Sequence, residues 1–148
     1  MSLKAEIQEA MKTAMKAKDK PTLSTVRLIL ADIKRVEVDE RIELSDDNRV
    51  LAILDKMQKQ RRDSISQFES AGRDDLAAIE KAEMEVITKF LPDPLSSEEL
   101  VTIIDSAISQ SGAASMADMG KVMALVKPQA QGRADMSEIS KAVKSRLG

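Results

Sequence analysis

Leu91-Pro92-Asp93-Pro94-Leu95-Ser96-Ser97-Glu98-Glu99-Leu100 divides the chain and decides what each part can be. Two prolines in three residues remove two backbone donors and push the residues before them out of the helical region, so no helix crosses the segment. Directly after it, Ser96 with Glu99 forms a capping box and Leu95 with Leu100 a hydrophobic staple. A new helix starts there. Leu100, Ile103, Ile104, Ala107 and Ile108 recur at helical spacing until Gly112 stops it.

On the N-terminal side the pattern is helical throughout. Ser2 is a cap for a stripe of Leu3, Ile7, Ala10, Met11 and Ala14, and Pro21 suits the first turn of a helix carrying Val26, Ile29, Leu30, Ile33 and Val36. Ser45-Asp46-Asp47 begins the longest pattern, whose near-heptad stripe is Val50, Leu54, Met57, Arg61 and Phe68. Gly72 ends it. Asp74 is then the expected cap of a stripe made by Leu76, Ile79, Glu83, Val86, Ile87 and Phe90. Arg61 and Glu83 each interrupt an apolar stripe, and antiparallel pairing of these two helices across a short turn predicts a partly buried ion pair.

Beyond Gly112, Met119, Val122, Met123 and Val126 mark a helix expected to stop at Pro128, and Asp135 with Glu138 starts a last one carrying Ile139, Val143 and Leu147. The fold class is all-α: an N-terminal antiparallel bundle over residues 1–91, a Pro hinge at 92–96 and a three-helix domain at 97–148.

Composition excludes several chemistries. With no His and no Cys, the usual zinc ligands, thiol nucleophiles and histidine bases are absent and no disulfide can form, and no metal site or cofactor is expected. The absence of cysteine and of an apolar leader predicts a cytoplasmic protein with no membrane span. Net charge is −2, from 23 basic and 25 acidic side chains, so nucleic acid would have to be bound by a local patch rather than by a global field. Phe68 and Phe90 are the whole aromatic inventory, too little to stack bases.

The stretch least explained by packing is Asp118-Met119-Gly120-Lys121-Val122-Met123, followed by Gly132-Arg133-Ala134-Asp135. Glycine inside a helix costs about 1 kcal/mol relative to alanine. With Ala117 and Ala124, Gly120 leaves a smooth strip. Two beginnings of that helix remain open. Ser115 as cap, with Asp118 closing the box, makes Gly120 a packing glycine; Asp118 as cap puts the N–H groups of Gly120 and Lys121 at a helix N-terminus suited to phosphate. Lys121, Lys127, Arg133, Lys141 and Lys144, with Gly120, are the candidate RNA-binding residues.

Taken together, Gln60-Arg61-Arg62-Asp63-Ser64, Ala71-Gly72-Arg73, Glu80, Glu83, Leu91-Pro92, Leu95-Ser96, Asp118 to Met123 and Gly132 to Asp135 resemble the YqeY family along essentially the whole chain. Phe90 departs from the Tyr expected before Leu-Pro. The family is similar to the helical tail of the B subunit of the glutamine-dependent aspartyl/glutamyl-tRNA amidotransferase. That resemblance implies tRNA as a partner and a family-level carbon–nitrogen ligase association with glutamine as amido donor. The residues supply neither a P-loop pattern nor a cysteine nucleophile for such a reaction. A tRNA-binding accessory role is therefore expected, with a helical protein-interaction adaptor as the alternative.

Overall fold

Ser2 accepts a hydrogen bond from Ala5 N at 3.2 Å and starts α1, Leu3–Ala17, in a computed structural model that describes residues 2–147. Met1 and Gly148, inside the expected domain limits, lie outside the described residues. α1 ends on Lys18 with φ 56°, a left-handed cap formed without glycine. Asp19 then accepts from Thr22 N at 3.2 Å and opens α2, Lys20–Glu40, with Pro21 in its first turn. Arg41, at φ 55°, closes it in the same left-handed way.

The third helix, α3, covers Asp47–Ser70. Its cap is Asp46, which accepts from Asn48 N at 2.9 Å, one residue later than the expected start at Ser45. Asp47 is thereby free to accept from Leu3 N at 3.0 Å and tie the start of α3 to the start of α1. Gly72, at φ +72°, turns the chain into α4, Asp74–Thr88. Asp74, expected as the cap, lies inside the helix. Arg73 takes the cap position without a side-chain cap bond and pairs instead with Asp75 at 3.0 Å.

The chain folds as two compact units, Met1–Leu91 and Pro92–Gly148. In the first, Ile7, Val26, Ile29, Ile33, Leu44, Val50, Leu54 and Ile87 are buried in one aliphatic core. The second consists of α5, Ser97–Ser111, a 3-10 turn at Met116–Asp118, α6, Met119–Ala130, and α7, Met136–Leu147. Its core is Ile104, Ala107, Val122, Val126, Ala130, Ile139 and Val143. The capping box of Ser96 and Glu99 forms in both directions. Pro128 does not end α6, which runs two residues further. The carbonyl that loses its donor there belongs to Ala124, an exposed residue where water can replace the bond.

Asp93 and Leu95 are held by the second unit: Leu95 N donates to Arg133 O at 2.8 Å, and Arg133 Nε donates to Asp93 O at 3.0 Å. No strand occurs among the described residues, and no helix there is long and apolar enough to cross a membrane.

In the first unit Glu37 Oε2 accepts from Leu44 N and from Lys4 Nζ, each at 2.7 Å. The backbone bond from Leu44, followed by the Lys4 ammonium, holds the Glu37 carboxyl below its ordinary range, against the opposing effect of desolvation. A depressed carboxylate pKa contributes stability that is present above the unfolded value, about 4.3, and is lost as pH falls through the folded value. Glu37→Gln should therefore lower the thermal midpoint at pH 7, and the difference from wild type should close on acidification below about pH 4. Melting curves followed by circular dichroism from pH 7 to pH 3 test this; a gap that stays constant with pH would assign the loss to geometry rather than to charge.

Candidate functional site

α6 begins at Met119 with Asp118 in the cap position, the second of the two expected beginnings, but without a side-chain cap bond. Ser115 makes no side-chain cap bond to the 3-10 turn, and Asp118 caps nothing downstream. Asp118 Oδ2 accepts from Ala114 N at 3.1 Å, and Asp118 Oδ1 lies 3.8 Å from Lys121 Nζ. A carboxylate thus stands beside this helix N-terminus, where it opposes an incoming phosphate. Gly120 is exposed, and a Cβ built on it meets nothing within 4 Å. It is not a packing glycine within its own unit. Ala117 and Ala124 are exposed with it, so the small-residue strip is open.

The basic candidates separate into two groups. Arg133 is engaged, its guanidinium donating to Asp93 O and, at 3.4 Å, to Glu99 Oε2. Lys121 has Asp118 nearby. Lys127, Lys141 and Lys144 are exposed, and no hydrogen bond or ion pair ties them to another described residue. Lys127 follows Ala124 on the solvent side of α6, opposite buried Val122 and Val126. Lys141 and Lys144, three residues apart, occupy the outer side of α7, opposite buried Ile139 and Val143. Arg146, near the end of α7, is bound by Asp105 through both nitrogens of its fork. Asp135 Oδ1 accepts from Ser137 N at 2.9 Å at the start of the same helix.

A second polar cluster lies between α3 and α4. Arg61 Nε donates to Glu83 Oε2 at 2.8 Å, with Glu80 at 4.0 Å, and Arg61 Nη1 donates to Met57 O at 3.1 Å. Only 12% of the Arg61 side chain is exposed. Gln58, one turn earlier and 5% exposed, donates to Met84 O at 3.2 Å and to Thr88 Oγ1 at 3.0 Å. Its Oε1 is buried with no hydrogen-bond partner among the described residues. Sequence reasoning passed over Gln58. The signal was its position next to Met57, on the buried side of the heptad stripe. Among the described residues no three acidic side chains converge as metal ligands do.

Comparison with known proteins agrees with this chain-long pattern. The profile of a family described as Yqey-like protein matches residues 4–147. Curated relatives include proteins named "Altered inheritance of mitochondria protein 41, mitochondrial". The one from Eremothecium gossypii is 36% identical over 108 residues, covering 72% of this chain and 59% of the relative. That from Clavispora lusitaniae is 39% identical, covering 66% and 57%, and that from Candida glabrata 40% identical, covering 66% and 53%. This chain therefore spans little more than half the length of these relatives. Their mitochondrial designation overturns the expectation of a cytoplasmic location. Lack of cysteine is compatible with either compartment, so composition had no power to separate them.

Because a Cβ at position 120 meets open space, Gly120→Ala should raise stability by about 0.5 kcal/mol, read as a higher urea midpoint. A lower midpoint would mean that the helix start needs glycine. Arg61→Ala should cost about 2 kcal/mol, because it leaves the Glu83 carboxylate partly buried without its donor. In a double-mutant cycle with Glu83→Ala the two losses should be coupled by about 1 kcal/mol or more. Additive losses would show that the two groups act independently.

Proposed function

This chain belongs to the YqeY-like family, and on that premise we propose that it is an RNA-binding accessory of tRNA-dependent amidation, contacting phosphates through its C-terminal unit. Support comes from the distribution of its bases. Within that unit Lys121, Arg133 and Arg146 have acidic neighbours, whereas Lys127, Lys141 and Lys144 hold their charge in solvent without one. Lysines left without acids on the outer faces of α6 and α7 suit phosphate contact, and a chain with two phenylalanines is poorly equipped for base stacking. Recognition on this reading is of backbone shape, and one protein serves many sequences. The carbon–nitrogen ligase chemistry associated with the family belongs, in this proposal, to a partner that supplies the nucleophile and the phosphate-activating site.

A second reading, a helical adaptor without RNA binding, draws on the open strip of Ala117, Gly120 and Ala124, which admits another backbone closely. The two separate on salt. If three phosphates are neutralised, log K for bulk tRNA should fall against log salt with a slope of about −2.7. Lys127→Gln, Lys141→Gln and Lys144→Gln should each reduce that slope by about 0.9, with similar losses for unrelated RNA sequences. Lys121→Gln should change it less. Fluorescence anisotropy at several salt concentrations measures this, and a wild-type protein with no salt-dependent affinity for structured RNA would leave the adaptor reading in its place.

A further inference from the structure

α2 buries Thr25, Val26, Ile29 and Ile33 on one side, and its other side carries a seven-residue repeat. Lys20, Arg27 and Lys34 follow one another at intervals of seven, about 10.5 Å apart along the axis, and Arg41, the left-handed C-cap, comes seven residues later at the helix end. Ser24, Ala31 and Val38 form a parallel row of small or aliphatic residues, Leu28 and Arg35 flank it on the far side, and Ile42 follows the helix end beside Lys34, Glu37 and Val38. All ten residues are exposed. Leu28 and Ile42 are each 43% exposed and Val38 63%, values that mark aliphatic surface left to water.

The acids of this helix stand at the borders of these rows. Glu37 turns away to Lys4 and Leu44, and Glu40 turns to Arg49. Asp32 and Asp39 lie at one border, Asp32 paired with Arg35 at 2.9 Å. Glu37 and Glu43 line a shallow depression with Lys4, Lys34, Val38 and Ile42 at the end of the helix. The side chains of Lys20, Arg27, Lys34 and Arg41 make no hydrogen bond or ion pair with another described residue.

We propose that this face of α2 docks an acidic amphipathic helix of a partner protein. The seven-residue period is the repeat that one α-helix presents to another lying along it. Acids every seventh residue on the partner meet the basic row, and apolar residues beside them cover Leu28, Ala31 and Val38. Ser24 and Ala31 keep the central strip low enough for close helix approach. A phosphate backbone meets the basic row equally well but leaves the aliphatic surface in water, and for that reason the occupant is a helix rather than a nucleic acid. The inference is independent of the RNA-binding proposal, which concerns other residues in the other unit.

The probe is a synthetic helical peptide of roughly three heptads, with Glu at every seventh position beside Leu and Ala, and two counterparts with Gln or Lys in place of Glu. Titrated into the 15N-labelled 148-residue chain, the Glu peptide should shift amide signals concentrated in residues 20–42. The Gln peptide should bind roughly tenfold more weakly. In the double variant Arg27→Glu with Lys34→Glu the preference should reverse, the Lys peptide binding in place of the Glu peptide. Both positions are exposed, so the variant's melting midpoint should stay near that of wild type; if it does not, Arg27→Gln alone should still weaken the Glu peptide by several-fold. Absence of saturable shifts, shifts confined to Lys127, Lys141 and Lys144, or affinity indifferent to the charge reversal would each overturn the proposal. So would bulk tRNA that shifts residues 20–42 at lower concentration than the peptide, or sedimentation showing that a second copy of the chain already covers the face.

Discussion

A single carboxylate oxygen, Glu37 Oε2, receives one hydrogen bond from the α1 lysine and another from the backbone that leads into α3. Three segments of the N-terminal unit are fixed by it: the start of α1, the last turns of α2 and the connection holding Leu44 in the core, where it is 2% exposed. An aliphatic core is not directional, and Ile, Leu and Val stripes can slide past one another at little cost. Hydrogen bonds to one oxygen remove that freedom. Asp47, bonded to Leu3 N, adds a second tie between the same elements.

Arg133 does comparable work in the C-terminal unit. Its backbone oxygen receives Leu95 N and its guanidinium reaches Asp93 O and Glu99, so the proline segment is held from a turn almost forty residues away. Arginine suits this task because its planar fork offers several donors in fixed directions. The consequence for function is that a base counted toward an RNA surface is already occupied. What remains in solvent is the set of lysines on α6 and α7, and lysine, a point charge on a flexible stem, suits phosphate contact that needs no fixed geometry.

Between α3 and α4 the polar seam of Gln58, Arg61, Glu80, Glu83, Met84 and Thr88 limits how the two helices can register. Its groups bond one another and the backbone, and Arg61 and Glu83 satisfy each other inside a largely apolar contact. This is an arrangement for specificity of packing. The outer face of α2 differs in kind: Lys20, Arg27, Lys34 and Arg41 form no ion pair with another described residue, and Leu28 and Val38 are exposed beside them. Charge without a partner next to apolar surface without a cover is informative only in combination.

Periodicity by itself determined that the chain is all-α, where its apolar stripes run and that Pro92 and Pro94 interrupt them, because a helix repeats every 3.6 residues whatever it packs against. It also determined the Ser96 and Glu99 box, whose atoms lie within one turn. Only the tertiary structure decided that Asp118 bonds back to Ala114, that Gly120 faces open space and that Arg133 is engaged. Each of those depends on which way a side chain turns once a loop or a neighbouring helix is in place. Lys18 and Arg41 could end helices in left-handed conformations, where sequence alone favours glycine, because following residues are drawn into caps and core. Gln58 was hidden for the same reason: whether a polar residue beside a stripe is solvated or buried is settled by the helix that lies across it, and α4 carries the Met84 carbonyl and Thr88 hydroxyl that receive it.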